Sequence, residues 1–162
     1  MGFCEILNYA RQSIPTHTPG HRINAGANGC MVVAVPYSLG VKMAKPDKQV
    51  IVLSGDGSFG MNGMEMDTAV RHNIPILVVV SNNGGWAAMG DMAGRDLGFT
   101  RCDKLSEVLG CHGEYVEKPD EIRPALERAN AAVQAGQPAV VNVLTDPRAR
   151  SQTVRFSTYR AI

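Results

Sequence analysis

Two short apolar runs, each ending in a polar turn, constrain the fold of this 162-residue chain more than any other feature. Residues 50–53 lead into Asp56, and residues 76–80 lead into Asn83, which lies 27 positions after Asp56. This separation suits one strand–helix–strand crossover, so the two runs are predicted to be parallel strands. The carboxyl ends of parallel strands share one edge of a sheet, where α/β folds bind their ligands. We therefore expect Asp56 and Asn83 to lie close together at that edge.

The chemistry of these two side chains indicates what they bind. Carboxylate and amide oxygens are hard ligands, and Mg²⁺ combines them with phosphate oxygens in an octahedron. Gly57 and Ser58 follow Asp56 directly, and their backbone N–H groups are predicted to meet a phosphate near the start of the next helix. The sequence therefore predicts a diphosphate that is bound through a metal ion.

A competing interpretation comes from the glycine pattern itself. Residues 55–60, which begin with Gly55, also satisfy the Gly-x-Gly-x-x-Gly fingerprint of dinucleotide-binding turns. An aspartate in such a turn would repel a pyrophosphate that no metal bridges, and the next strand ends in asparagines rather than in the acidic residue that binds a ribose. We therefore reject NAD(P) binding. A purely structural role, in which Asp56 caps a helix, stays open at this point.

The rest of the chain alternates helical and strand patterns, which predicts an α/β fold with a three-layer, doubly wound, mostly parallel sheet. Residues 1–146 are predicted to form one domain with a weakly patterned lead-in at residues 1–28, and residues 147–162 form a basic C-terminal tail. Helices are expected at residues 5–13, 29–44, 63–72, 102–109 and 119–134, and strands at residues 49–54, 75–81, 113–116 and 139–144.

Bulk composition argues against several classes of protein. A net charge of +1 and a 19% share of charged residues give no overall excess of positive charge that would indicate nucleic-acid binding. The sequence has no run of 18 apolar residues that would predict a membrane span, and its N-terminus lacks the pattern of a signal peptide. The four cysteines form no Cys-x-x-Cys pair, so we expect reduced thiols in a cytoplasmic protein.

The Gly-Asp-Gly around Asp56 and the Asn-Asn that ends at Asn83 together resemble the signature of thiamine diphosphate enzymes of the acetolactate synthase and pyruvate decarboxylase superfamily. The resemblance spans residues 21–146 and implies the domain that binds the diphosphate of the cofactor. By that similarity, Mg²⁺ is held by the Asp56 carboxylate, the Asn83 amide oxygen and the Gly85 backbone carbonyl. Thiamine diphosphate and Mg²⁺ are the cofactors that this resemblance implies.

A second stretch, residues 26–31, resembles the Gly-rich turn of the same family, which ends in a bulky apolar residue. The resemblance implies that Met31 wedges under the cofactor, and that Gly29, with Cys30 beside it, contacts the aminopyrimidine. The alternative for Met31 is a core methionine. Trp86, the sole tryptophan, is predicted to cover the mouth of the active site; the alternative is packing under a mobile, Gly-rich flap at residues 87–98.

Family enzymes also need a glutamate that hydrogen-bonds the pyrimidine ring of the cofactor. That glutamate lies on a separate pyrimidine-binding domain, contributed from across a dimer interface. A 162-residue chain has no room for that domain. We therefore expect a large partner subunit in a hetero-oligomer, such as a dimer of heterodimers, or else a sequence that is a fragment of a longer chain.

Three further stretches of the sequence indicate the class of substrate. Residues 21–26, 59–68 and 71–76 look like their counterparts in 2-hydroxyacyl-CoA lyases and oxalyl-CoA decarboxylases. This similarity implies a small subunit of a split lyase that converts a 2-hydroxyacyl-CoA into formyl-CoA and an aldehyde or ketone, or the reverse. Two alternatives stay open: a 2-keto acid decarboxylase or acetolactate-synthase-like carboligase, and a non-catalytic cofactor-binding subunit.

The basic tail gives separate support for an acyl-CoA. Arg148, Arg150 and Arg155 lie there among hydroxyl side chains, and guanidinium groups suit phosphate recognition. Coenzyme A carries phosphates, and CoA enzymes of this family close a C-terminal lid over the nucleotide. A solvated basic tail or a subunit contact is the alternative.

Overall fold

A computed structural model of the protein describes residues 5–26, 29–86 and 94–149. The described part contains six α-helices, a short 3₁₀ turn at Pro119–Glu121, and four β-strands. In chain order the elements are α1 (Glu5–Ser13), α2 (Ala34–Ala44), β1 (Ile51–Gly55), α3 (Asp56–Asn62), α4 (Glu65–Arg71), β2 (Leu77–Asn82), α5 (Cys102–Val108), β3 (His112–Val116), α6 (Ile122–Gln134) and β4 (Ala139–Leu144).

The four strands form one sheet in the order β1-β2-β4-β3, and every neighbouring pair is parallel. The chain crosses the sheet in one direction from β1 through β2 to β3, and it returns from β3 to β4. Since parallel crossovers are right-handed, the returning helix α6 must lie on the face opposite to α3, α4 and α5. The sheet therefore has helices on both faces, which confirms the predicted three-layer, doubly wound α/β fold.

Two apolar clusters, one on each face of the sheet, hold these layers together. Alternate residues of a strand point to opposite faces, so Val78 of β2 contacts the cluster that contains Met66 of α4. The neighbouring Leu77 contacts the other cluster, where Ala125 and Ala129 lie four residues apart on one side of α6. Small residues at that spacing let α6 pack close to the sheet.

Two predicted helices differ from the observed ones. The helix predicted at residues 63–72 is preceded by a separate helix, α3, that begins at Asp56 itself, and a turn at Gly63 divides it from α4. The helix predicted from residue 29 begins only at Ala34, because Gly29 has a φ of +63°, which a right-handed helix does not allow. Pro36 lies in the first turn of α2, where a proline is tolerated.

None of the helices within residues 5–26, 29–86 and 94–149 is long and apolar enough to cross a membrane. Cys30, Cys102 and Cys111 are free thiols, in line with the expected absence of disulfides in this part of the chain. Cys102 and Cys111 are buried, and burial raises the pKa of the Cys102 thiol to about 12, so it stays protonated at neutral pH.

The apolar residue before β2 provides a test of the core. Ile76 is fully buried in the cluster shared with α2 and α4. We expect Ile76→Ala to lower the free energy of unfolding by about 2–5 kcal/mol, because the cavity it leaves cannot collapse fully. Urea unfolding measures this change. The matched control is Ile51→Ala in β1, where the side chain is 54% exposed and the loss should stay below about 1 kcal/mol; equal losses would contradict the assigned core.

Candidate functional site

Asp56 and Asn83 lie side by side at the carboxyl edge of the sheet, as their spacing in the sequence predicts. Asp56 follows β1 directly as the first residue of α3, and Asn83 follows the last residue of β2. The register of the two strands pairs Gly55 with Ser81, which brings both turns to the same level. The geometry of the edge is thus a direct result of parallel pairing.

Three oxygen atoms converge between these turns. The side-chain oxygen of Asn83 lies 3.1 Å from Asp56 Oδ1 and 2.8 Å from the backbone carbonyl oxygen of Gly85. Turning the Asn83 amide over would place its NH₂ group against these acceptors. In that orientation the NH₂ group donates to Asp56 Oδ1 and to the Gly85 carbonyl, whereas the oxygen in its present position accepts one long hydrogen bond, from the Gly85 backbone N–H at 3.4 Å. The metal-free site therefore favours the turned amide, and a bound cation would favour the oxygen.

The spacing of these oxygens is that of ligands around a small cation. With Mg–O distances of 2.0–2.1 Å, neighbouring corners of an octahedron are about 2.9 Å apart. Without a cation, three acceptors at such distances repel one another unless the Asn83 amide turns its NH₂ group towards the other two. The arrangement of Asp56, Asn83 and Gly85 therefore fits a magnesium ion, whose other ligands would come from phosphate and water.

The Asp56 carboxylate carries the only formal charge of this cluster, and it is unusually buried. The residue is 6% exposed, and no described residue gives Asp56 Oδ2 a hydrogen-bond partner. Burial raises the pKa of Asp56 to about 6, although backbone N–H groups of Gly57, Asn83 and Gly85 oppose the shift. A buried acceptor without a partner requires an explanation, and a bound cation with its ligands supplies one.

The alternative structural role of Asp56 does not account for its position. The N-cap residue of α3 is Gly55 rather than Asp56, so Asp56 lies inside the first turn of the helix and not at its cap. Nor does the site resemble a zinc centre: among residues 5–26, 29–86 and 94–149, no group of three His, Cys, Asp or Glu side chains could hold a metal. One carboxylate, one amide and one carbonyl are a donor set for a hard cation that is shared with a ligand.

Gly57 lies beside the oxygen cluster and is covered by Trp86. A Cβ atom built on Gly57 would lie 2.0 Å from Cδ1 and 2.1 Å from Nε1 of the indole, far closer than any real contact. Only glycine fits beneath this ring. Trp86 itself is 41% exposed, so one side of the indole faces Gly57 while part of it reaches solvent, and its predicted position at the mouth of a site stays a prediction.

The second predicted stretch meets the first through one hydrogen bond. The buried Ser58 hydroxyl of α3 donates to the backbone carbonyl of Met31. Gly29 forms a turn in which its N–H donates to the carbonyl of Gly26 at 3.4 Å, and Cys30 is exposed. The half-buried Met31 is thus close to the Asp56–Ser58 turn, while its role as a wedge is not tested by these contacts.

A short antiparallel contact closes the base of the loop after Asn83. Gly85 and Asp96 form an isolated bridge, the Trp86 N–H donates to the carbonyl of Arg95 at 3.0 Å, and the Leu97 N–H donates to that of Gly84 at 2.8 Å. Residues 87–93 of the predicted flap lie outside the described residues. The flap therefore stays a prediction, but its two ends are held together.

The predicted CoA-binding arginines are described only in part. Arg148 is exposed and donates from Nε to Asp146 at 3.1 Å, an ion pair that water screens and that contributes little to stability. Arg150 and Arg155 lie outside the described residues. Their role in phosphate recognition stays a prediction.

The sequence analysis missed a buried polar cluster behind the site. Asn82, Asn142 and Asp103 are all fully or almost fully buried and are hydrogen-bonded in series. One signal was available: Asn142 interrupts the otherwise apolar strand Ala139–Leu144, where a buried amide needs partners. Its partners come from distant parts of the chain, so the sequence pattern could not identify them.

Comparison with known proteins places this site in a family. Residues 5–143 match the family described as "Thiamine pyrophosphate enzyme, C-terminal TPP binding domain". The acetolactate synthase large subunit IlvG of Mycobacterium tuberculosis is 44% identical over 149 residues, which cover 86% of this chain and 27% of that protein. The 2-hydroxyacyl-CoA lyase of Arabidopsis thaliana is 35% identical over 165 residues, which cover 93% of this chain and 28% of the lyase.

A solved structure is also similar to this chain. The thiamine diphosphate-dependent 4-hydroxybenzoylformate decarboxylase of Rhodococcus jostii superposes with a TM-score of 0.63 and 29% identity, covering 70% of this chain and 23% of the decarboxylase. The chain thus spans roughly a quarter of the length of the relatives that it matches. It belongs to the family of C-terminal, thiamine pyrophosphate-binding domains of thiamine pyrophosphate enzymes.

Proposed function

We propose that this chain holds the Mg²⁺ ion and the diphosphate of thiamine diphosphate in an enzyme that cleaves or forms a carbon–carbon bond. The observation that carries the proposal is the convergence of the Asp56, Asn83 and Gly85 oxygens around a buried carboxylate. A cation between them would bind all three oxygens, with the Asn83 oxygen turned towards it, and would give the charge of Asp56 a partner. Family membership supplies the identity of the cofactor.

The neighbouring residues have separate tasks in this proposal. The backbone N–H groups of Gly57 and Ser58 donate to the diphosphate, and Trp86 shields it from water. Gly29, Cys30 and Met31 face the rest of the cofactor, with Met31 tied to Ser58 through its backbone carbonyl. When bound, thiamine diphosphate supplies a nucleophilic thiazolium carbon that attacks a carbonyl group, so the chain acts by binding and orientation.

The other half of the site must come from a pyrimidine-binding domain with a catalytic glutamate. The curated relatives are three to four times as long as the matched segment, in line with further domains in the complete enzyme. We propose that a large partner subunit, or another segment of a longer chain, supplies that domain. The 162 residues alone should bind Mg²⁺ and thiamine diphosphate weakly and turn over no substrate.

For the substrate we propose a 2-hydroxyacyl-CoA, cleaved to formyl-CoA and an aldehyde or ketone, or formed in the reverse reaction. The similarity to a 2-hydroxyacyl-CoA lyase and the arginines of the tail support this proposal. A second candidate is carboligation of 2-keto acids. The higher identity to a protein named acetolactate synthase, 44% against 35%, favours it. In both cases the bond that breaks or forms is next to a carbonyl carbon.

The test is an assay of the chain together with its co-purified partner, in the presence of Mg²⁺ and thiamine diphosphate. We expect formyl-CoA release from a 2-hydroxyacyl-CoA and a raised KM for that substrate when Arg148 and Arg150 are both replaced by alanine. Cofactor affinity should not change in this variant, because Arg148 lies outside the oxygen cluster. Activity on 2-keto acids alone would favour the second candidate, and failure to bind thiamine diphosphate would refute the proposal as a whole.

A further inference from the structure

A series of buried polar side chains, called the relay below, connects the sheet interior to the turn at residues 83–85. Its members are Asn82 at the end of β2, Asn142 in β4 and Asp103 in α5, none more than 1% exposed. Apolar residues would fill this space without the free-energy penalty of burying an amide or a carboxylate. The relay therefore requires a reason beyond packing.

The hydrogen bonds of the relay all run in one direction. Asn82 Nδ2 donates to Asn142 Oδ1 at 3.1 Å, and Asn142 Nδ2 donates to Asp103 Oδ1 at 3.2 Å. At the other end, Asn82 Oδ1 accepts a hydrogen bond from the Gly84 backbone N–H at 3.2 Å. Asn82 Nδ2 also donates to the carbonyl of Thr100 at 2.8 Å, so Asn82 uses both its donors and its acceptor.

The carboxylate at the start of the relay supports this direction, together with the Thr100 carbonyl, which accepts from Asn82 Nδ2 at 2.8 Å and from Asn142 Nδ2 at 3.4 Å. Arg101 donates to both oxygens of Asp103, at 2.9 Å and 2.6 Å, while its guanidinium lies 3.8 Å from the centre of the Tyr115 ring. Burial acts to raise the pKa of Asp103, but hydrogen bonds from Arg101 and Asn142 outweigh it and hold the pKa below its usual range. An ionised carboxylate can only accept hydrogen bonds.

Each amide must then take one orientation. Asn142 turns its NH₂ group towards Asp103, so its oxygen faces Asn82. Asn82 in turn directs its NH₂ group to Asn142, which leaves its oxygen for the Gly84 N–H. Gly84 has a φ of +76°, and the turn that it makes presents the side-chain oxygen of Asn83 and the carbonyl of Gly85 next to Asp56.

We infer that Asp103 and Asn142 are positioning residues for the metal site: their hydrogen bonds set the orientation of Asn82, and through Gly84 the placement of the two oxygens of the 83–85 turn. This inference rests on the proposed function, because it assigns the relay to the same Mg²⁺–diphosphate site. It assigns no contact between the relay and the cofactor itself.

The test replaces the ionised carboxylate by a neutral amide of the same shape. In Asp103→Asn, the side chain can donate as well as accept, so the orientation of Asn142 depends on its long bond to the Thr100 carbonyl at 3.4 Å, and its support for Asn82 weakens. We expect the Mg²⁺ concentration that half-saturates thiamine diphosphate binding to rise roughly tenfold, in the range seen when groups that orient metal ligands are removed. Titration calorimetry measures this on the protein purified with its partner, with Mg²⁺ and thiamine diphosphate as probes.

The matched control is Glu114→Gln. Glu114 of β3 has the same chemistry as Asp103, since Arg128 of α6 donates to both of its oxygens at 2.9 Å and 2.7 Å, but it lies outside the relay. Both variants should lower Tm, whereas only Asp103→Asn should change the Mg²⁺ requirement. An equal Mg²⁺ requirement in the two variants would overturn the inference.

A second pair of variants keeps the test decisive if Asp103→Asn does not fold. Arg101→Gln removes the exposed guanidinium and should raise the Mg²⁺ requirement in the same direction by a smaller factor, and Arg101→Lys, which keeps a cation beside Asp103, should restore part of the loss. No change in Arg101→Gln would count against the relay. If the wild-type protein itself fails to bind thiamine diphosphate with Mg²⁺, the proposed function fails, which is a separate result.

Discussion

Asp56→Asn should abolish Mg²⁺-dependent binding of thiamine diphosphate while it stabilises the metal-free protein. The substitution removes the single formal negative charge of the oxygen cluster, so we expect Mg²⁺ affinity to fall by at least about 100-fold. Without metal, the same charge destabilises the folded protein, because the residue is only 6% exposed and one of its oxygens lacks a partner among the described residues. An amide at this position could donate to the oxygens of Asn83 and Gly85 instead.

The size of the stabilisation follows from the pKa of Asp56. Burial raises this pKa to about 6 from an ordinary value of 3.8, and each unit corresponds to about 1.4 kcal/mol. Asp56→Asn should therefore raise the free energy of unfolding at pH 7 by about 2–3 kcal/mol in the absence of metal. Denaturant unfolding with a chelator present measures this gain. In the same experiment with saturating Mg²⁺ and thiamine diphosphate, the wild-type protein should be more stable than Asp56→Asn.

The pH dependence of stability tests whether the ionised Asp56 carboxylate destabilises the metal-free protein. Between pH 3.8 and about 6 the folded protein holds a proton on Asp56 that the unfolded chain has lost. The contribution of this group to stability is therefore fully present below pH 3.8 and is lost as the pH rises through about 6. The difference between wild type and Asp56→Asn should be small at pH 4 and reach its full value above pH 7.

A matched control separates this effect from a loss of charge in general. Asp67 lies on α4 and pairs with Arg71 at 2.7 Å on the exposed side of the helix. Asp67→Asn should change stability by less than about 1 kcal/mol and leave Mg²⁺ affinity as it is. Equal Mg²⁺ affinities in Asp56→Asn and Asp67→Asn would contradict the assignment of the metal site.

Gly57→Ala should disrupt the site through Trp86. The new methyl group would lie about 2 Å from two atoms of the indole, so the ring must leave its position. We expect the affinity for thiamine diphosphate to fall roughly tenfold to hundredfold, because the displaced ring distorts the turn whose N–H groups are proposed to bind the diphosphate. Since Trp86 is the sole tryptophan of the chain, its fluorescence reports the displacement directly, even in the isolated chain.

Gly60→Ala is the control for this variant. Gly60 lies in the same helix, and a Cβ atom there would meet nothing within 4 Å. The substitution should leave the fluorescence and the cofactor affinity unchanged and raise stability by up to about 1 kcal/mol, because alanine favours a helix more than glycine does. A normal emission spectrum in Gly57→Ala would show that Trp86 does not pack on Gly57.

The parts of the site that the sequence predicted are those that depend on neighbouring strands. The adjacency of Asp56 and Asn83 follows from one crossover between β1 and β2, which the spacing of the apolar runs indicates. The relay could not be predicted, because Asp103 and Asn142 are 39 residues apart and meet only where α5 packs against β4. Asn82 reaches Asn142 only because β4 lies next to β2. Strand order beyond a single crossover leaves no trace in local periodicity. Helix α3 could not be predicted for a different reason, because Gly57 and Gly60 lie within its seven residues and glycine disfavours a helix.

The Gly85–Asp96 bridge separates the sequence of the following loop from the structure of the turn at residues 83–85. It ties the two ends of the loop at residues 86–95 together on the scaffold, and the entropy cost of closing a flexible loop grows only slowly with its length. The segment after Trp86 can therefore be exchanged without moving the turn that carries Asn83 or the indole that covers Gly57. A segment transplanted from a relative between Trp86 and Arg95 should leave the affinity for thiamine diphosphate unchanged.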